Sequence, residues 1–245
     1  MNASAFEFRL RYLTHAVIYV GAFAGPQIWS HYRHTTYQTV WLRAATWLSV
    51  HGWMSFYAAI VTLGTLAVAL ALGGALLRTW GAAYLGADVV GDHAMLGNAI
   101  MADGPYRYMR NPLYVGTFLN SLAMAILLPP GGAIFIVLGI GIVQLRLMGG
   151  EEVFLSAKLG APYLEYKARV PKIFPSLAPR IPAGGKKPRW IQAVLSEAYM
   201  WATLAVIAVV AWSFDAKPFP LYVLCAWGLS LVVRGAMPRE AKAAV

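Results

Sequence analysis

Six apolar blocks set the terms on which this chain can fold. They fall at residues 12–29, 54–77, 112–128, 132–148, 193–213 and 219–234. Each is within a few residues of the roughly 20 needed to cross a bilayer as a helix. Backbone amides have no water partner inside a bilayer, so helices, which satisfy their own hydrogen bonds, are the natural spanning form. Only 12% of the 245 residues are charged while 59% are hydrophobic, against about 25% charged in a soluble domain. A very apolar soluble helical protein is therefore the disfavoured alternative. The expected fold is an all-α integral membrane protein with about six transmembrane helices. Leu128-Pro129-Pro130-Gly131-Gly132 is a tight turn that pairs the third and fourth as a hairpin.

The net charge of +10 raises the possibility of a nucleic-acid partner, but its distribution points elsewhere. With a cytoplasmic N-terminus, sixteen of the 20 Lys and Arg fall on the inner side. Arg33, Arg43 and Lys217 fall outside, and Arg146 lies near the inner end of the fourth block. The positive-inside rule accounts for that asymmetry, so no nucleic acid is needed and both termini are expected in the cytoplasm. Cys225 is the single cysteine, which excludes an intramolecular disulfide and a cysteine-rich metal site; no metal is expected. The first block, followed by Trp29 and Tyr32, is expected to be retained as a span with an aromatic belt.

Residues 31–52 are too polar to span and are expected at the outer interface. Segments 78–111 and 149–192 are expected to be long inner loops, a length that usually marks function. Residues 183–189, containing Ala183-Gly184-Gly185-Lys186-Lys187-Pro188, make a linker between two parts. One is a four-helix core at 1–182; the other, 190–245, is a C-terminal two-helix hairpin with a basic tail.

Polar residues cluster at the ends of the central hairpin. In Gly104-Pro105-Tyr106-Arg107-Tyr108-Met109-Arg110-Asn111-Pro112-Leu113-Tyr114-Val115-Gly116, Pro112 fits a first helical position and Asn111 an N-cap, its side chain accepting a free backbone N–H. A helix N-terminus also favours an anion. Arg107 and Arg110 beside it either anchor to headgroups or bind that anion. At the other end Gly149-Gly150-Glu151-Glu152 places two carboxylates at the membrane boundary, where charge is costly unless used or paired. They either bridge to Arg146 and the basic loop or hold a ligand. On a continuing helix Gln144, Met148 and Glu151 or Glu152 share a face, and the glycines leave room for close approach. Tyr163 and Tyr166 fall one turn apart on a helix begun at Pro162, as belt residues or as site residues. The spaced glycines Gly81 and Gly86 lack the strand context of a dinucleotide fingerprint, and His93 stands alone. Both polar segments flank one hairpin on one side of the membrane. Together they would suit a zwitterionic cofactor with a cationic centre, which aromatic faces hold well.

These residues resemble a family. The stretch 104–116, then a hairpin, then "EEVFL", "KLGAPYLEY" and "VPKIFP", is similar to the membrane methyltransferases related to isoprenylcysteine carboxyl methyltransferase and phospholipid N-methyltransferases. The likeness covers about residues 78–177. The commoner family form has histidine where this chain has Asn111. The run 111–116 is instead similar to the asparagine form of phosphatidylethanolamine N-methyltransferase, as is "GAAYLGAD". The resemblance implies S-adenosylmethionine as methyl donor, bound at the cytoplasmic face. The implied cofactor set is Tyr106, Arg107, Arg110, Asn111, Pro112, Tyr114, Glu151 and Glu152, with Gly81 and Gly86 as weaker members. Arg110 and Glu152 would stand nearest the chemistry, and Tyr163 and Tyr166 would meet the substrate. The acceptor is expected to be a membrane lipid or other amphiphile, an amine before a carboxylate. The membrane would be the inner membrane of a bacterium or the endoplasmic reticulum of a eukaryote. An NADPH-dependent reductase of the sterol reductase type has similar C-terminal motifs but usually more spans before them. A non-enzymatic transporter or scaffold would leave the two facing polar segments without a purpose.

Overall fold

In the computed structural model, residues 3–33, 38–85 and 103–236 are described, and all their regular structure is helical. A short α1 (Ala5–Arg9) precedes α2 (Arg11–Arg33), α3 (Val40–Val50) and α4 (Phe56–Leu85). A 3-10 turn at Gly104–Arg107 leads into the central hairpin, α5 (Pro112–Ile126) and α6 (Pro130–Leu159). Then come α7 (Ala161–Arg169), α8 (Trp190–Ser196), α9 (Ala198–Ser213) and α10 (Phe219–Ala236). By length and composition α4 and α6 are apolar enough to cross a membrane; α8 and α9, bent by 63°, together make a third candidate. Helix α5 and Phe219–Val233 are shorter apolar helices.

Packing follows from side-chain size. Helix α4 buries a stripe of small residues, among them Ala59, Ala67, Ala71, Gly74, Ala75 and Ala82. Small residues let helix backbones approach, the main source of contact between helices in lipid. At the crossing with α5 the approach is reciprocal. A Cβ on Gly74 would lie 2.6 Å from the Gly116 carbonyl oxygen, and one on Gly116 would lie 2.8 Å from that of Gly74. Helix α6 turns Ile134, Leu138, Ile142 and Leu145 outward, spaced by four, four and three residues, and buries Ile136, Ile140, Gln144 and Met148 opposite. Its 30 residues measure about 45 Å at 1.5 Å per residue, well beyond the roughly 30 Å of hydrocarbon. The helix is therefore longer than a single span requires.

The structure departs from the sequence expectation at several points. Helix α6 does not stop at Gly149-Gly150 but runs unbroken to Leu159. The space that Gly150 opens is filled by the start of the chain, because a Cβ there would lie 2.6 Å from the Ala3 carbonyl oxygen. The Ala3 N–H donates to the Arg146 carbonyl at 2.9 Å. Ser4 and Glu7 cap α1 reciprocally, and Glu7 pairs with Arg146 at 2.7 Å, so Arg146 is engaged by α1. Helix α4 extends through Leu85, into the stretch expected as loop; Gly86 and His93 lie outside the described residues. Residues 183–189 are tied down. Asp103 accepts N–H groups from Gly184, Gly185 and Lys186 at 2.8, 3.1 and 3.0 Å, and Gly185 supplies the positive φ (83°) the chain needs there.

Candidate functional site

The 3-10 turn opens at Gly104, whose φ of 55° and contact with the Tyr84 ring leave no room for a side chain. From there residues 171–181 run as a strap beside the motif. Arg110 N–H donates to the Pro171 carbonyl (2.8 Å), Ser176 N–H to Tyr108 (3.0 Å) and Arg180 N–H to Arg107 (2.9 Å). The Arg107 Nε donates to the Ile181 carbonyl at 3.0 Å, which aims this side chain at the strap. Asn111 precedes α5 as expected, but its side chain does not cap the helix. The amide Nδ2 donates instead to the Lys172 carbonyl (3.0 Å) and reaches Glu152 at 3.5 Å. The side chain thus ties the start of α5 to the strap and to α6.

Arg110 and Glu152 form the centre of the assembly. The guanidinium donates to Glu152 from Nε (3.1 Å) and Nη2 (3.0 Å), and from Nη1 to the Lys167 and Val170 carbonyls (2.5 and 2.7 Å). Lys167 and Lys172 approach the same carboxylate at 3.7 and 3.6 Å. Glu152 is 6% exposed, and its oxygens are committed to these cations. Glu151 differs: it accepts the Tyr114 hydroxyl at 3.0 Å and keeps oxygen lone pairs for another donor.

A cavity of about 460 Å³ lies over these groups, within the roughly 300–1,000 Å³ range of single-ligand sites. Tyr106, Arg110, Asn111, Pro112 and Tyr114 line it from the motif. Glu151 and Glu152 line it from α6, and Tyr163 and Tyr166 from α7. Arg107 and Gly81 do not; Gly81 lies under α5, with its Cβ position 3.0 Å from Leu113. The Tyr166 hydroxyl donates to the Tyr106 carbonyl at 2.9 Å, fixing α7 to the motif. Burial raises the phenol pKa of Tyr106, Tyr163 and Tyr166 above the usual 10, with Glu151, Glu152 and Tyr163 adding to the respective shifts. All three stay protonated at neutral pH and act as hydroxyl groups, not phenolates. Two buried polar atoms in the cavity wall, the Tyr106 hydroxyl and Gln144 Nε2, have no hydrogen-bond partner among the described residues.

Sequence reasoning missed two walls. One is α1–α2, with Phe8, Arg11, His15 and Tyr19; the other is the C-terminal hairpin, with Glu197, Tyr199, Trp227 and Ser230. Arg78 of α4 joins the second wall to the core, gripping Glu197 through Nε (2.6 Å) and Nη2 (2.8 Å). Its Nη1 donates to Thr117 Oγ1 (2.7 Å) and the Leu113 carbonyl (3.1 Å). Glu197 is fully buried. The signal was present as an acid and a base of opposite sign, each at the edge of an apolar block, where a charge needs a partner.

Residues 60–161 match the model of a family described as phospholipid methyltransferase. That span contains α5, most of α4, the motif and α6 with both carboxylates. No curated protein and no solved structure matches the chain.

Proposed function

We propose that this integral membrane protein is a methyltransferase that uses S-adenosylmethionine to methylate a lipid-like or amphiphilic acceptor at the cytoplasmic face. One observation carries the reading. A single cavity gathers Tyr106, Arg110, Asn111, Tyr114, Glu151, Glu152, Tyr163 and Tyr166 from the motif, α5, α6 and α7, and most of those elements fall inside the family match.

The residues present suit that cofactor. A buried polar atom without a partner costs about 1–3 kcal/mol, and a ligand bearing a carboxylate, an ammonium and ribose hydroxyls would engage the Tyr106 hydroxyl and Gln144 Nε2. Glu151 has acceptor capacity left for an ammonium or a hydroxyl. The tyrosine rings offer faces to a sulfonium. Arg110 and Glu152 are spent on each other, so their part is to hold the motif against α6 and α7. When bound, S-adenosylmethionine supplies an activated methyl group. The chain's contribution is to hold donor and acceptor in line and to keep water out, with Phe8 of α1 in the wall that covers the cavity. Tyr12 and Leu231, both exposed, line the cavity too, which gives an acceptor with an apolar tail a lateral way in.

The wider arrangement belongs to the same proposal. About six spans would include α2, α5 and α10, with the hairpin at 190–245 as a second unit and both termini cytoplasmic. The inner-side excess of Lys and Arg supports that orientation. The test is calorimetry of S-adenosylmethionine on the purified chain, followed by incubation of labelled S-adenosylmethionine with a total lipid extract. Binding and a labelled lipid are expected; a folded chain that binds no S-adenosylmethionine would overturn the reading.

A further inference from the structure

We propose that His15 is the proton acceptor for an amine substrate, which binds in the part of the cavity walled by α2 and the C-terminal hairpin. The proposal rests on the methyl-transfer reading above and extends it to residues that lie outside the family match.

Arg11, His15 and Tyr19 are four residues apart on α2 and all line the cavity. They form a ladder down one face, about 5.4 Å per turn. At its foot the Tyr19 hydroxyl is engaged with Ser121 Oγ (3.1 Å), and the Tyr19 ring meets Trp227 edge-on with centroids 5.0 Å apart. That end is aromatic and suits an apolar stem. The middle rung is His15. Its Nδ1 lies 2.6 Å from the Arg11 carbonyl oxygen. A carbonyl can only accept, so Nδ1 carries a hydrogen whether the ring is neutral or charged. Proton uptake is thereby confined to Nε2, and the backbone fixes the tautomer that a base needs.

The other candidate bases are occupied. Glu152 is committed to Arg110, Lys167 and Lys172, and Glu197 to Arg78. Tyr106, Tyr163 and Tyr166 hold their protons. Glu151, already accepting from Tyr114, is the remaining rival. Of the charged and titratable groups that share the cavity with His15, Arg11, Tyr12 and Tyr19 lie on its own helix and Arg78 on α4. Tyr114 of α5, Glu151 of α6 and Tyr199 of α9 line it as well.

The step balances. An acceptor arriving as R–NH₃⁺ gives one proton to His15 Nε2 and becomes R–NH₂. Its lone pair forms the N–C bond to the sulfonium methyl as the C–S bond breaks, and the bonding pair stays on sulfur. The products are R–NH₂–CH₃⁺, a neutral thioether, and a proton that leaves His15 for solvent.

The first test needs no turnover. The full-length chain, labelled with ¹⁵N-histidine in detergent micelles, has five histidines, and loss of one signal in His15→Gln assigns His15. The Nδ1-protonated tautomer is expected, with a shift of this signal alone on adding dodecylamine. An Nε2-protonated ring, or no response to the amine, would overturn the proposal. In turnover of a total lipid extract, His15→Gln should slow labelled-amine formation by about 10²–10⁴-fold at neutral pH. It should leave S-adenosylmethionine affinity within twofold, and the rate should recover as pH approaches the acceptor's own pKa. A packing role would not recover with pH. An unchanged rate, a loss shown by Glu151→Gln but not by His15→Gln, or a labelled ester in place of an amine each counts against His15. Failure of the wild-type chain to bind S-adenosylmethionine would sink the methyltransferase reading, while the tautomer result would still judge the geometry.

Discussion

Tyr106 is a buried phenol whose ring is packed while its hydroxyl has no partner among the described residues. Removing that oxygen should cost the fold nothing and cost a bound ligand one hydrogen bond. Tyr106→Phe is therefore expected to melt at or above the wild-type temperature. Its S-adenosylmethionine affinity should fall by a few-fold to about tenfold, the worth of one hydrogen bond; thermal melting and calorimetry together check it. The adjacent carboxylates should separate in the same way. Glu152→Ala strips the counter-charge from Arg110, Lys167 and Lys172 and should destabilise by about 3–5 kcal/mol, as broken buried pairs do. Glu151→Gln should leave melting nearly unchanged and weaken cofactor binding. The importance of this tandem pair was readable from its place at the end of an apolar block. Which carboxylate keeps acceptor capacity for a ligand was not, because that depends on Arg110, Lys167 and Lys172, which converge on Glu152 only in three dimensions. Asn111 shows the same limit: its helix-start position was legible, but its side-chain partners, Lys172 and Glu152, are 61 and 41 residues away.

At the level of elements, the α4–α5 crossing is set by two glycines whose backbones nearly touch. Gly74→Ala would place a methyl 2.6 Å from a carbonyl oxygen, an overpacking expected to cost about 1–3 kcal/mol. Gly131 sits in the first turn of α6 with nothing within 4 Å of its Cβ position, so Gly131→Ala should be neutral or stabilising by about 0.5–1 kcal/mol. Equal melting of the two variants in detergent would refute this picture of the crossing. The α1 clasp carries a pH dependence. The Glu7 carboxyl is held below its ordinary 4.5, first by the Ser4 backbone N–H and then by Arg146. A lowered carboxyl pKa contributes stability that is present above the ordinary value and lost as pH falls through the folded one. Hydrogen exchange in residues 3–10 should therefore accelerate below about pH 4.5. Most helices were legible from apolar run length, yet α6 was not legible to its end. A Gly-Gly pair reads as a helix stop by propensity. Here the contact of Gly150 with Ala3 makes the small residue a requirement of packing within a continuing helix.

For the molecule as a whole, the cavity belongs to three parts of the chain: the N-terminal helices, the matched core with α7 directly after it, and the C-terminal hairpin. The Arg78–Glu197 pair joins the last two. Arg78→Met alone should strand a buried carboxylate and cost about 3–5 kcal/mol. Arg78→Met with Glu197→Leu should recover most of that loss; a denaturation cycle on the three variants measures it. The orientation is tested by a periplasmic-type reporter fused after Val245, expected to be inactive. The overall class was plain from the apolar blocks. The role of the hairpin was not: Glu197 signals the need for a partner, but Arg78 is 119 residues away.

That ion pair has a consequence for descent. Arg78 falls within the matched region 60–161 and Glu197 beyond it, so the core and the hairpin cannot drift independently at these positions. Across related chains the two sites should change together: a lineage that loses the hairpin, or replaces its acid, should carry an uncharged residue at the position of Arg78.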